Sequence, residues 1–398
     1  MNILILSHFF TPYSGVGAKR MEALFAYLKK KNQNVYVISA NTKEYGTSVI
    51  NDRMPIGKNE HIQLCDSYNN PILKKIMRVK QYWKVVPDVI VEKKIDIVIV
   101  SAGPFNYLKI VSMIKKKFPN IKCIIDFRDI LDGSQCKNGK TNLGEKLGYN
   151  LDIIVEKNAV EYADLCITVS EQMCMYYEKR YPQNKDKFIF IQNGYDDITV
   201  SKDVQEQIEK FEFIDNKHVK TIRIGIFGKY GFYDDKYFYM LARTVRKLKK
   251  EGIFINIVQF GVFENKMKDI FLKLGIEECY SFVASKGYET DICKLQNCDA
   301  TIATNYLKEA LGTKIFDYIW INRPIITINP FIDGEQAQLT KKFQNGYVCN
   351  TEVELEKVIH DIVNLKCKEL DPDRKRIKQF SRSYQFNILY KELKRLEN

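Results

Sequence analysis

Histidine and tryptophan are scarce in this chain, with four and two among 398 residues, and proline numbers only ten. So little proline beside 45% hydrophobic residues excludes a disordered or collagen-like chain. Long apolar runs are missing too, and a membrane-spanning helix needs about 20 such residues in a row. The uncharged run over 1–18 is broken by Ser7, His8, Thr11, Pro12 and two glycines; Gly103 and Pro104 interrupt another over 97–108. The start Asn2-Ile3-Leu4-Ile5-Leu6 has no basic lead-in and too short an apolar core for a secretory signal. The expectation is a soluble cytoplasmic protein. Cysteine is not rare, at ten residues, but no two form a CxxC. The closest pairs are Cys293 with Cys298 and Cys166 with Cys174, while Cys123, Cys166 and Cys298 lie in or beside apolar runs. Buried thiols are expected there, not a zinc site or a disulfide framework.

What is present is an alternation. At about 150 residues per domain the length suits two domains, each able to bury a core. Residues 2–7 read as a short apolar strand. Met21, Leu24, Phe25 and Leu28 then repeat at the spacing of a helix with one buried face, and 34–39 is again rich in strand formers. Such a unit is a βαβ crossover, and its repetition implies a parallel sheet. Further strands are expected at 96–100, 121–126, 164–169 and 187–191, with a long helix over 143–163. A charged linker follows over 195–220. A second series has strands at 221–227, 253–260, 280–283, 299–304 and 324–328 and a helix over 235–250. The fold class is therefore α/β, with two Rossmann-like doubly wound domains at 1–200 and 215–379. Ligands of such sheets bind outside the carboxyl ends of the strands, and two sheets facing each other make a cleft. A final amphipathic helix within 380–398 is expected to cross back onto the first domain.

Three motifs bear on chemistry. In Ser14-Gly15-Val16-Gly17, Gly15 and Gly17 let backbone approach a ligand at a helix start. The third glycine of a dinucleotide fingerprint is replaced by Arg20, and a plain strand-to-helix turn is the alternative. Phe227-Gly228-Lys229-Tyr230-Gly231 ends the first strand of the second series, and Gly228, Lys229 and the later Lys236 are candidates to face a diphosphate; a loop with solvated lysines is the alternative. The third motif runs from Glu309 through Gly312-Thr313-Lys314 to Asp317-Tyr318, then Asn322-Arg323-Pro324. Its two carboxylates can accept from ligand hydroxyls while free N–H groups at Gly312 and Thr313 hold phosphate. The alternative is a capped surface helix with solvated acids.

These residues resemble those of the GT-B glycosyltransferases of the large family-4 type, which build bacterial surface polysaccharides, over essentially the whole chain. Pro12, Gly15, Gly17, Arg20 and Leu24 through Leu28 match the family's glycine loop and R-x-x-x-L-A helix. Asn193-Gly194-Tyr195-Asp196 matches the N-G-x-D that ends its first domain. Glu309 and Asp317 match its pair of glutamates with seven residues between them, and Lys314, Asp317, Tyr318 and Pro324 match the K-x-x-E-Y…P pattern. The second acid is Asp, shorter by one methylene. Asp126-Phe127-Arg128-Asp129 resembles an R-D variant that stands in place of the family's histidine.

The resemblance implies an enzyme that transfers a sugar, hexosyl or related, from a nucleotide diphosphate with retention of configuration. Glu309 would lie on the sugar side, Asp317 on the ribose, and Asp129 on the acceptor side as a catalytic carboxylate. The donor is a substrate, and neither a cofactor nor a metal is expected. The acceptor would be a glycan or a lipid-linked oligosaccharide. The net charge is 62 − 49 = +13, without a nucleic-acid motif, so nucleic acid is not an expected partner. Lys74, Lys75, Arg78, Lys80, Lys84, Lys93 and Lys94 alternate with Ile76, Val79, Trp83 and Val86. That helix suits either an anionic bilayer at the inner membrane face or packing on its own domain. Two rivals remain open: a sugar-nucleotide epimerase on the same fold and a non-catalytic sugar-nucleotide-binding protein.

Overall fold

A computed structural model describes residues 1–13, 16–41, 56–57, 59–64, 71–131, 143–196, 206, 221–230, 235–305, 308–309, 311–365 and 374–397, with backbone alone at 16, 71–75, 143–147 and 365. The chain divides into two compact units, one of Met1–Gln192 with Phe386–Asn398 and one of Asn193–Gln385. In the first, strands β1 (Asn2–Ser7), β2 (Asn34–Ala40), β3 (His61–Leu64), β4 (Ile97–Ser101), β5 (Lys122–Phe127), β6 (Leu165–Thr168) and β7 (Phe188–Phe190) alternate with helices α1 (Val16–Lys30), α2 (Pro71–Glu92), α3 (Lys109–Lys117), α4 (Leu143–Tyr162) and α5 (Glu171–Arg180). The sheet order is β3-β2-β1-β4-β5-β6-β7 and its registered pairs are all parallel.

The second unit repeats the scheme with β8 (Thr221–Phe227), α6 (Lys236–Lys250), β9 (Phe254–Gly261), α7 (Asn265–Lys273), β10 (Tyr280–Ala284), α8 (Tyr288–Leu295), β11 (Ala300–Thr304), α9 (Lys314–Ile321), β12 (Ile325–Ile328), α10 (Glu335–Lys341), β13 (Gly346–Cys349), α11 (Glu352–Leu365) and α12 (Arg374–Lys378). Its order is β10-β9-β8-β11-β12-β13, again parallel throughout. Both orders follow the doubly wound pattern in which the first and fourth strands lie side by side at the centre.

Central strands covered by helices on both faces have no polar face to show, hence the unbroken runs Ile3–Leu6 and Ile97–Val100, all buried. On α1 the spaced Met21, Leu24, Phe25 and Leu28 are buried as expected, while Lys29 and Lys30 sit at the negative end of the helix dipole. The last helix, α13 (Arg382–Glu397), brings Phe386, Leu389 and Leu393 into the same cluster as Ile3, Ile5, Leu24 and Phe25. Strands β3 and β13 were not expected. Each is a four-residue edge strand with mostly half-buried side chains, so neither leaves a hydrophobic pattern.

The basic helix α2 spends its apolar side chains on its own unit. Tyr82, Val86, Val89 and Ile90 are buried, Val79 and Trp83 pack against them, and buried Arg78 donates to Asn106 Oδ1 at 3.0 Å. Among its described side chains α2 exposes Ile76, Lys80, Lys84, Asp88, Val91 and Glu92 to solvent, so bases and acids share that face.

One buried ion pair fastens α1 to the sheet. Arg20 Nη2 lies 2.9 Å and Nε 3.0 Å from Asp126 Oδ1, and Nη1 donates to the Gln192 carbonyl at 3.2 Å. Breaking such a pair from one side strands a charge. Arg20→Met is therefore expected to cost roughly 3–5 kcal/mol in urea unfolding, with much of the loss restored by adding Asp126→Asn. A single variant as stable as wild type would remove this pair from the account of the fold.

Candidate functional site

In the second unit, β8 leads outward to β9 and β11 to β12, so the chain turns in opposite directions from two adjacent strands. The crevice at the carboxyl ends of such a pair is where doubly wound sheets bind ligands. Gly228 follows β8 with φ +68°, and a Cβ there would touch nothing within 4 Å, so backbone conformation alone calls for glycine. Its N–H donates to the Phe260 carbonyl at 2.9 Å and its carbonyl accepts from Gln259 Nε2 at 2.9 Å. The same Gln259 nitrogen donates to Glu264 Oε2 at 2.7 Å, and that oxygen accepts the Tyr230 N–H at 2.6 Å. Thr304, at the end of β11, donates to the Tyr230 carbonyl. The loop after β8 is thus fixed from both neighbouring strands.

Helix α9 opens against this loop. The buried Tyr318 hydroxyl accepts the Phe227 N–H at 3.0 Å and donates to the Ile302 carbonyl at 3.2 Å, which sets the helix beneath the strand ends. Lys314 Nζ donates to the Lys229 carbonyl. Burial drives the Lys314 ammonium down to a pKa of about 8, with Glu264 and Asp317 acting in the opposite sense. Asp317 is buried one turn into the helix and accepts from the Tyr288 hydroxyl. Burial, then the Asp317 charge, pushes the Tyr288 phenol up. Half-buried Glu309 sits on a loop tied to the head of α10 by the Glu335 N–H on the Lys308 carbonyl at 2.8 Å, with Lys308 Nζ 2.5 Å from Asp333.

The carboxyl edge of β8, β11 and β12 therefore collects Gly228, Lys229, Glu309, Gly312, Thr313, Lys314 and Asp317. Two details bear on the expectation. The Gly312 N–H, expected to be open to phosphate, donates to Gln336 Oε1 at 3.3 Å. Lys229 is exposed, and its contact with Lys314 is made by its carbonyl. Lys236 begins α6, exposed, with its ammonium 5.0 Å from the centroid of the Tyr237 ring. Gly15 lies outside the described residues.

Gly17 and Asp129 belong to the first unit. The Gly17 carbonyl accepts from Arg128, whose Nε and Nη2 also lie 3.3 Å from the Ala102 carbonyl. One guanidinium thus ties together the segments following β1, β4 and β5. Asp129 stands exposed just beyond β5, and its carbonyl accepts from Tyr177 at 3.4 Å. Behind it, buried Glu156 accepts from Tyr181 at 2.6 Å and Tyr177 at 3.3 Å, with Arg180 Nε 3.2 Å away. Burial raises the Glu156 pKa against the opposing pull of those partners.

Sequence reasoning missed Gln259, Glu264, Tyr288, Asn305, Asn329 and Gln336. Only Gln259 left a trace, as a polar residue inside the strand Phe254–Gly261. Among the described residues Glu251, Glu356 and His360 are grouped closely enough for a metal ion. Lys247 lies 2.6 Å from Glu356 and His360 lies 3.2 Å from Glu251, so both carboxylates already face a basic side chain at the far end of α6. Among the same residues no helix is long and apolar enough to cross a membrane.

Three solved structures similar to this chain define its architecture. A glycosyltransferase from Rickettsia africae ESF-5 is 17% identical, with a TM-score of 0.65 over 99% of this chain and 98% of that one. Anabaena Alr3699/HepE in complex with UDP is 15% identical, with a TM-score of 0.67 over 99% and 100%. A UDP-GlcNAc 2-epimerase from Methanocaldococcus jannaschii is 12% identical, with a TM-score of 0.60 over 99% and 99%. The chain has the GT-B fold. In sequence no family model and no curated protein matches it. Identities this low establish the GT-B fold and leave the reaction to the site.

Within this GT-B chain Lys314 gives a direct pH test. Between pH 8 and 10.5 the unfolded chain still holds the lysine proton that the folded chain has released, so stability rises with pH across that window. Below pH 8 the folded lysine is charged and its burial penalty is felt in full. Lys314→Met is expected to remove this slope, and the Lys314 Cε resonance to titrate near pH 8. Titration at the ordinary lysine value would show that the ammonium remains hydrated.

Proposed function

We propose that the protein is a glycosyltransferase that moves a sugar from a nucleotide diphosphate donor to a glycan or lipid-linked oligosaccharide in surface polysaccharide biosynthesis. The observation that carries this reading is the pair Glu309 and Asp317 on either side of the Gly312-Thr313 opening of α9, beside Lys314, at the crevice between β8 and β11. HepE, similar in fold, is bound to UDP. The second unit would hold the donor, with Asp317 accepting from ribose hydroxyls and Glu309 from the sugar. As the sugar–phosphate bond breaks, negative charge grows on the leaving diphosphate and positive charge on the sugar. The Lys314 ammonium and the N–H groups at the start of α9 answer the first. The first unit would bind the acceptor, where Asp129 accepts the hydroxyl proton or steadies the sugar's positive charge. Hexosyl transfer with retention follows the family resemblance. The exposed Lys80 and Lys84 of α2 suit a peripheral contact with an anionic inner membrane face.

The fold shared with an epimerase supports a second reading, conversion of the donor without an acceptor. Incubation with uridine, guanosine, adenosine and thymidine diphosphate sugars, with and without glycan acceptors, separates the two. Acceptor-dependent release of nucleoside diphosphate is expected, and an epimer formed without acceptor would replace transfer by isomerisation. Glu309→Ala and Asp317→Ala should each weaken donor binding by about 1–3 kcal/mol at an unchanged melting temperature. Asp129→Asn should lower kcat by about 10²-fold while keeping donor affinity. Wild-type binding and turnover in all three variants would overturn the assignment.

A further inference from the structure

Two buried amides at the carboxyl edge of the second sheet each hold a donor that nothing among the described residues receives. Gln336, in the first turn of α10 and 1% exposed, accepts the Gly312 N–H at 3.3 Å and Asn305 Nδ2 at 3.4 Å on its Oε1. Because the first of these is a main-chain donor, the amide cannot be turned round. Its Nε2 is left without a partner among the described residues. Asn329, just past β12, repeats the arrangement: Oδ1 accepts the Phe331 N–H at 2.8 Å, and Nδ2 has no partner among the described residues. Asn305 and Asn329 stand one residue beyond Thr304 and Ile328, the last registered pair of β11 and β12, so these groups share neighbouring strand ends. The Glu335 N–H on the Lys308 carbonyl at 2.8 Å brings the Glu309 loop to the head of the helix that carries Gln336.

Buried donors without acceptors are rare in folded proteins, and each asks for a missing partner. The mixture of groups selects its chemistry. Neutral amide donors beside a carboxylate fit a hydroxyl, which accepts from one and donates to the other, whereas a phosphate would meet the charge of Glu309. We propose that Gln336 and Asn329, with Glu309, bind hydroxyl groups of the sugar half of the donor, and that Gln336 is a determinant of which sugar is accepted. This assignment rests on the nucleotide-sugar reading above. It also links recognition to α9, because the amide that meets the sugar holds the Gly312 N–H at the helix start.

Calorimetric titration of the full chain with UDP, ADP and GDP, and with UDP-glucose, ADP-glucose and GDP-mannose, tests the assignment. Gln336→Glu keeps the acceptor for Gly312 and replaces the orphan donor with a second acceptor. It should bind the free diphosphate within about twofold of wild type and the sugar conjugate about tenfold or more weakly, the scale of one lost hydrogen bond to a buried partner. Gln336→Met, which buries no new charge, should show the same split if the glutamate variant does not fold. Equal loss for diphosphate and conjugate, or no loss for either, would overturn the subsite and leave ordered water as the partner of the two amides. A wild-type chain that binds none of the six ligands would overturn the nucleotide-sugar reading and this assignment together.

Discussion

Among the described residues every strand in both sheets runs parallel to its registered neighbours, and a parallel pair cannot be closed by a tight turn, so each connection must cross a face of the sheet before the next strand begins. That demand buries the strands from both sides and removes polar side chains from most of their length. It also sends every strand out at the same edge. Polar groups excluded from the interior gather there, and helices start there with unpaired N–H groups pointing back at the strand ends. In the second unit the crossing directions diverge between β8 and β11, and the carboxylates, glycines and Lys314 all meet at that divergence.

A site built from loops is only as ordered as the bonds that hold the loops. Here the work falls to polar side chains reaching out of buried positions. Gln259 holds the Gly228 carbonyl and Glu264, Tyr318 joins β8 to β11 from below, and Gln336 takes the first N–H of the α9 turn. In the first unit Arg128 ties the segment after β5 to the Gly17 and Ala102 carbonyls, and Arg20 clamps α1 to β5 through Asp126. The charged residues nearest the strand ends are thus partly structural, and the exposed Asp129 rests on a loop whose carbonyl is held by Tyr177.

The sequence made the βαβ alternation legible because apolar runs bounded by glycines can hardly be anything else in a chain of this size. The helix faces of α1 and α13 were equally plain from spacing. The Glu309 to Asp317 motif was visible because two acids, a glycine and a lysine within nine positions are unusual beside a buried strand. What stayed hidden depends on neighbours distant in the chain. A glutamine at 336 or an asparagine at 329 looks like any surface amide until folding buries it. Likewise Lys229 meets Lys314 through its carbonyl, which every residue possesses. The short edge strands β3 and β13 gain their conformation from pairing rather than from composition. The aliphatics of α2 carried the right period but not the identity of the surface they meet.

The first unit contains residues from both ends of the chain, with 193 residues of the other unit set between Gln192 and Phe386. During synthesis β1 and α1 leave the ribosome before the second unit, yet the helix that covers Ile3, Ile5 and Phe25 with Phe386, Leu389 and Leu393 emerges only after it. The second unit can therefore complete its sheet while the first still shows an apolar face. The unit begun first is completed after the other, and for that interval its apolar face must stay uncovered without associating with other chains.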